Sequence, residues 1–378
     1  MNATAESPDV DDWNELVNAI KDGKCVLFVG PETVLKEPGV PYHQALVSSA
    51  DFQENKYFKY IPKDEMFLLW EKQNRNKLVN RFRNYCQQNN FFDETYKKIT
   101  AIPFNTIIAV SRYPFLVQTF EKSNLNFQHQ WFSKNFSKPK PGETEEVIET
   151  PTAENPLVYN LFGKLNLDDS LLLTHADLFD YLSELLKNEN AIPTELKDLV
   201  KSADEIIFLG FKFDRWYVQL LLRLFKLDDH NAEFQRISLS SGDEDDVLSI
   251  CETDFKIKFI DDKLDSFVNT LYNKCIESGL KLREFTSGPK VPQMTDFTPL
   301  LETNRFDDAL KKLRELETKY NLPDRVTGLT GSWNEIREKE INRTLRDDDL
   351  TIEKNSFRNQ LINAIQSDID QIKQLPSN

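Results

Sequence analysis

The ten residues Cys25 to Val34, CVLFVGPETV, carry the first chemical hint in the chain. Five apolar residues run into Gly30, as a buried strand does before a turn whose backbone N–H groups hold a phosphate. A glycine-rich turn should follow, but Pro31 and Glu32 stand there, then Thr33 and Val34. A carboxylate where a pyrophosphate should lie is unfavourable at close range. Three later apolar segments end in further candidates: Ser111 after one, Phe162 and Gly163 after another, Gly210 and Lys212 after the last. In α/β sheets ligands sit beyond the carboxyl ends of strands, so positions 30–34, 111–113, 162–163 and 210–214 form the expected site.

Proton-transfer groups are few. The four histidines are His43, His129, His175 and His230. His43 begins a helix after the first loop and is the one most able to face a pocket. His175 reads as first-turn helix, His129 packs in an aromatic strand (FQHQWF), and His230 sits in a polar turn. The acidic runs Asp243–Asp246 and Asp347–Asp349 lack the glycine spacing of a calcium loop and read as solvated turns. No metal site is expected.

The elements that must position these residues alternate. An acidic start (Asp11, Asp12) opens an amphipathic helix with Trp13, Leu16, Val17 and Ile20, ended by Gly23. Residues 65–99 read as helical, with Leu68, Leu69, Leu78, Val79 and Phe82 as the apolar stripe. Strands are expected at Cys25–Val29, Thr106–Val110, Leu157–Phe162, Leu171–Leu173, Glu205–Leu209, Arg236–Leu239 and Lys256–Ile260. Thr174 can cap a helix from His175 to Leu186, and WYVQLLLRLF (216–225) is an almost wholly apolar helix preceded by Asp214 as its N-cap. Phe211, Phe213, Trp216 and Tyr217 read as core. Short apolar strands alternating with helices imply a parallel sheet covered on both faces. The proline-rich, charged stretch 137–156 reads as an exposed loop within this domain.

From residue 279 the pattern changes. A linker over 279–294 leads into three helical segments and no strands. Their stripes are Phe306, Leu310, Leu313, Leu316; Trp333, Ile336, Ile341, Leu345; and Phe357, Leu361, Ile365, Ile369, Ile372. The expected division is therefore an α/β domain over 10–278 and a helical module over 295–375, too small to bury more than a modest core alone.

Composition narrows the classes. The chain has 378 residues, 39% of them hydrophobic, with 27 Phe, enough for packed cores. The four cysteines are scattered without a CxxC pair, which suits reduced thiols in cytoplasm. A net charge of -15 repels nucleic acid and anionic membrane. No apolar run is long enough to span a bilayer, and the polar, acidic start is unlike a secretory signal.

Four blocks together resemble the SIR2-like (sirtuin-like) domains of bacterial anti-phage and conflict systems. FVGPETVLKEPGVPYHQAL (28–46) is similar to the family's GAGxS loop and following helix start. FNTIIAVSRYPFL (104–116) resembles the strand entering a TTNxD turn. LVYNLFGKLNLDDSLLLTHADLFDYL (157–182) is similar to the KLHG block, and IIFLGFKFDRWYVQLLLRLF (206–225) to the LLFLGFSF strand and helix. The resemblance implies a Rossmann-like fold that binds NAD or an ADP-ribose-like nucleotide near Gly30, Glu32, Thr33, Ser111, Phe162, Gly163, Gly210 and Lys212. It also implies an asparagine and a histidine that cleave the nicotinamide bond. Here those two positions are Ser111 and Phe162, and a phenyl ring accepts no proton. The second glycine and the serine of the loop are Glu32 and Val34.

Residues 298–366 resemble the effector-associated domains of bacterial immune systems, small helical modules that pair like with like. A tetratricopeptide-like hairpin is the alternative, but one hairpin is visible and a solenoid needs about three repeats. The whole reads as a catalytically degenerate nucleotide-sensing or scaffold domain, with a helical adaptor that recruits a partner protein or self-assembles into a homo-oligomer. The alternative is an active NAD hydrolase that uses rearranged residues such as Glu32, Ser111 or His43.

Overall fold

The computed structural model describes residues 10–374 except 54–55, 90, 92–93, 133–147, 166, 168–169, 189–190, 229–234, 240–241, 286–293, 321 and 343. His230 and most of the 137–156 stretch thus lie outside the described residues. The described chain forms two compact units, one up to Phe285 and one from Met294 onward.

The first unit starts with α1 (Val10–Lys21) and β1 (Cys25–Val29). Two antiparallel hairpins follow, β2 (Leu35–Glu37) with β3 (Val40–Pro41), and, after α2 (Tyr42–Ser48), β4 (Phe58–Ile61) with β5 (Met66–Leu69). Then come α3 (Arg75–Gln88), α4 (Glu94–Ala101), β6 (Thr106–Ala109), α5 (Phe115–Lys122), β7 (Gln128–Trp131) and β8 (Leu157–Asn160). The unit closes with α6 (His175–Lys187), α7 (Thr194–Lys201), β9 (Glu205–Leu209), α8 (Trp216–Leu224), β10 (Gln235–Leu239), α9 (Asp245–Asp254), β11 (Ile257–Ile260) and α10 (Leu264–Glu277).

Seven strands form one sheet in the order β11-β10-β9-β1-β6-β8-β7, and every pairing is parallel. Parallel strands need a crossover each, and helices supply them, so both faces are covered. Strand β1 shows the result: all five residues are buried, with Leu27 and Val29 facing one apolar cluster and Val26 and Phe28 the other. β1 is central, with the earlier strands β6 to β8 on one side of it and the later strands β9 to β11 on the other. That reversal is a topological switch point, where the carboxyl ends of neighbouring strands open a crevice.

Several expected elements differ. The helix expected over 65–99 is a hairpin strand at Met66–Leu69 followed by two helices, α3 and α4. Phe67 faces an aromatic cluster with Phe52, Phe58 and Tyr60 while Met66 packs in the apolar cluster on the other side, so pairing with β4 outweighs the helical spacing. Leu171–Leu173 is buried but forms no strand; it meets β5 only through a bridge between Phe67 and Thr174. Asp214 caps nothing: α8 begins after Arg215 without a side-chain cap. Trp216 is 41% exposed and stacks on exposed Phe179 at 5.5 Å, outside the core. The acidic runs begin helices, α9 at Asp245 and a later helix at Asp347, as suits the positive end of the helix dipole. Thr174 does cap α6, in a capping box with Asp177. Past Gly279 the chain stays fastened to the first unit. Arg283 donates to the carbonyls of Thr100, Ile102, Phe104 and Ala153.

Among the described residues the second unit has four α-helices, α11 (Thr298–Glu302), α12 (Phe306–Tyr320), α13 (Val326–Ile341) and α14 (Asp347–Gln374). Phe306, Trp333 and Phe357 meet with ring centroids 4.8–5.4 Å apart at its centre. Glu317 accepts from the amides of Arg325 and Val326 at the start of α13, and Arg325 pairs with fully buried Asp368. Ile341, expected in the core stripe, is 74% exposed, because α13 ends there.

His129 lies on edge strand β7 between the rings of Phe127 and Trp131, and burial lowers its pKa from 6.5 to about 3. Below pH 6.5 the unfolded chain takes up a proton that the folded chain refuses, so this group's stabilisation is lost as pH falls toward 3. Between pH 7.5 and 5.0, urea titrations should show the wild type losing about 2 kcal/mol more than His129→Gln, at about 1.4 kcal/mol per pH unit below 6.5.

Candidate functional site

The carboxyl edge at the switch point brings together the ends of β1, β6, β8 and β9, and with them every residue that the sequence places in the site. Gly30, Glu32 and Thr33 lie beyond β1, Ser111 beyond β6, Phe162 and Gly163 beyond β8, Gly210 and Lys212 beyond β9.

The first loop is closed by its own backbone. Gly30 N–H donates to Leu209 O (2.8 Å), Glu32 N–H to Gly210 O (3.1 Å), Thr33 N–H to Gly30 O (3.3 Å) and Val34 N–H to Pro31 O (3.1 Å). Pro31 has no N–H. Every amide from 30 to 34 is therefore either absent or bonded within the protein. The Thr33 hydroxyl is likewise engaged with Gly30 O (2.7 Å) and the Tyr96 hydroxyl (2.8 Å). This packing requires both glycines: a Cβ on Gly30 would lie 2.2 Å from Gly210 O, and one on Gly210, at φ +67°, 2.5 Å from Thr33 N.

The next two positions serve packing. Phe162 is buried against Tyr181 and Tyr217 (centroids 6.2 and 5.9 Å). Gly163 adopts φ +80°, and a Cβ there would strike Ser170 O at 1.9 Å. Ser111 Oγ accepts from Tyr113 N–H (3.2 Å), closing the turn after β6.

The charged groups form a different assembly, reached through residues that the sequence reading did not single out. Arg215, 2% exposed, donates from Nη2 to Glu32 Oε1 and to Glu65 Oε1, both at 2.6 Å. Glu65 comes from the β4–β5 turn, where it adopts φ +52°. Its backbone oxygen accepts from buried Arg112 Nη1. His43, on α2, places Nδ1 3.2 Å from Glu65 Oε1 and 3.8 Å from Glu32 Oε2, without the alignment of a hydrogen bond. Lys212 Nζ lies 3.9 Å from Glu32 Oε1. Arg112 lies within the expected site positions and Arg215 one residue beyond them, but an arginine there gives no sign of its partner. Glu65 lacked even that, since a hairpin brings it from elsewhere.

Burial and its neighbour Glu65 raise the Glu32 pKa, against the pull of Arg215 and His43. Burial lowers that of His43, with the cations Arg215, Lys212 and Arg112 acting the same way and Glu32 opposing, so the imidazole is neutral near pH 7. Burial works against the Arg215 charge, yet Glu65, Tyr217 and Glu32 outweigh it and its pKa is raised. Glu32, His43 and Glu65 offer three donor atoms within 4.8 Å of one another. The set resembles a metal seat, but the Arg215 guanidinium already bridges the two carboxylates, so the donors do not fit a cation.

His175 pairs with Asp64 at 3.3 Å.

A parallel sheet with helices on both faces and a topological switch point at β1 defines a Rossmann-like α/β protein. Residues 114–260 match the family model for the SIR2-like domain, and residues 296–372 match that for effector-associated domain 11. The first unit is thus similar to a SIR2-like domain and the second to an effector-associated domain. SIR2-like domains generally bind NAD, and the pair fits a component of a defence or conflict system. The SIR2-like match takes in the third and fourth blocks; strands β1 and β6 precede it. No curated protein matches the chain. Among the described residues no helix is long and apolar enough to cross a membrane.

Removing one member of a buried ion network strands the others. Arg215→Ala should lower unfolding free energy by roughly 3–5 kcal/mol in urea titration. Adding Glu32→Gln and Glu65→Gln, with Met in place of Arg215, should recover most of the loss. A near-neutral Arg215→Ala would show that the network does not hold the edge together.

Proposed function

We propose that this chain is a component of a prokaryotic anti-phage defence or conflict system. In this reading its SIR2-like domain senses a nucleotide or acts as a scaffold without cleaving NAD, and its effector-associated domain recruits a partner or a second copy. The supporting observation is the closed loop: amides 30–34 are spent inside the protein, where a pyrophosphate would need them. Phe162, at the family's base position, is locked in an aromatic cluster and accepts no proton.

A second reading is favoured by His43. A neutral imidazole beside two carboxylates is in the protonation state of a general base, as an NAD-hydrolysing effector with rearranged residues would need.

Purified full-length protein incubated with NAD should release no nicotinamide above the enzyme-free background. Turnover that disappears in His43→Ala would overturn the first reading and install the second. In light scattering the full chain should be larger than a monomer, and a chain ending at Lys290 should be monomeric. Equal association states would remove the self-pairing role of the helical module.

A further inference from the structure

The sheet edge contains buried donors with nothing to donate to. Arg112 is 3% exposed and uses Nη1 on Glu65 O, while its Nε and Nη2 have no hydrogen-bond partner. Those two N–H groups form one side of the guanidinium fork, the side that grips two oxygens of a carboxylate or phosphate in parallel. The Tyr60 hydroxyl and Arg215 Nε are also buried and unpartnered, and both side chains belong to the same electrostatic cluster as Arg112. Buried polar groups are nearly always satisfied, so a cluster of exceptions points to something that fills it.

Charge agrees with this. Around His43 stand three cations, Arg112, Lys212 and Arg215, facing the carboxylates Glu32 and Glu65. With the imidazole neutral, one positive charge is left over. Arg215 bridges one oxygen of each carboxylate, and Arg112 makes its hydrogen bond to the Glu65 backbone oxygen rather than to a carboxylate. Lys212, 41% exposed, carries charge at the solvent side.

We propose that the Nε–Nη2 edge of Arg112 is a binding subsite for one carboxylate or phosphate group of a small ligand, with Tyr60 and Lys212 assisting. The proposal deepens the sensing role above, since it replaces the closed amide loop with a guanidinium as the anion holder. Phosphate on a sugar and free phosphate share this chemistry and are separated in the test.

Full-length protein is titrated with inorganic phosphate, ribose 5-phosphate and malonate at fixed pH, with chloride matching the ionic strength. Binding is read by calorimetry and by thermal shift. Saturable binding is expected, weakened at least tenfold in Arg112→Gln and less in Lys212→Ala. Tighter malonate binding assigns a carboxylate, tighter phosphate a phosphate, and a gain with ribose 5-phosphate places that phosphate on a sugar. No saturable binding, or unchanged affinity in Arg112→Gln, overturns the proposal. Should that variant not fold, wild-type crystals soaked in tungstate decide. Anomalous density within hydrogen-bonding distance of Arg112 Nε and Nη2 supports the subsite, whereas ordered water there, or the anion elsewhere, rejects it. None of these readouts involves NAD turnover, so the subsite and the non-cleaving reading fail separately.

Discussion

One guanidinium group, that of Arg215, holds the carboxyl edge of the sheet together. It reaches Glu32 from the β1 loop and Glu65 from the β4–β5 turn at equal distance. Two carboxylates this close in a dry interior repel each other, and the shared cation offsets that repulsion. The bridge ties the end of β9 to the loop after β1 and to a hairpin outside the sheet. It also explains how Glu32 is tolerated where the resembling family pattern has glycine: the carboxylate has a protein partner.

The backbone completes the closure. The β9 turn lies against the β1 loop so tightly that neither Gly30 nor Gly210 can carry a side chain. In exchange, the carbonyls of Leu209 and Gly210 take the amides of Gly30 and Glu32. A loop that would otherwise aim its N–H groups at an anion thus serves as a seam between strands. In the proposal above, the anion-holding capacity of the edge moves to side chains, chiefly Arg112, whose Nε and Nη2 have no hydrogen-bond partner.

The second unit follows another logic. Its centre is a cluster of three aromatic rings, and a buried carboxylate pair, Asp368 with Glu317, is held by Arg325 and the first amides of α13. Burial raises the pKa of both acids. Polar groups so placed fix which helices meet, while the apolar stripes supply the driving force.

The chain order of apolar runs and capping signals determined the α/β class, the parallel sheet and the helical second unit. A strand buried on both faces must be apolar throughout, and that pattern is local. Hence Glu205–Leu209 and the Thr174 cap were legible. So were the strand ends that form the carboxyl edge, and the phenyl ring at position 162. Met66–Leu69 was misread because its helical spacing is also local, whereas pairing with β4 is not. Trp216 and Ile341 were assigned to cores because apolarity alone does not say which face of a helix is covered. The Glu32–Arg215–Glu65 bridge, the spent amides of the first loop and the unpartnered edge of Arg112 were decided only by tertiary structure. Each depends on where a carbonyl or carboxylate from a distant segment comes to rest, and no residue carries that information in its own neighbourhood.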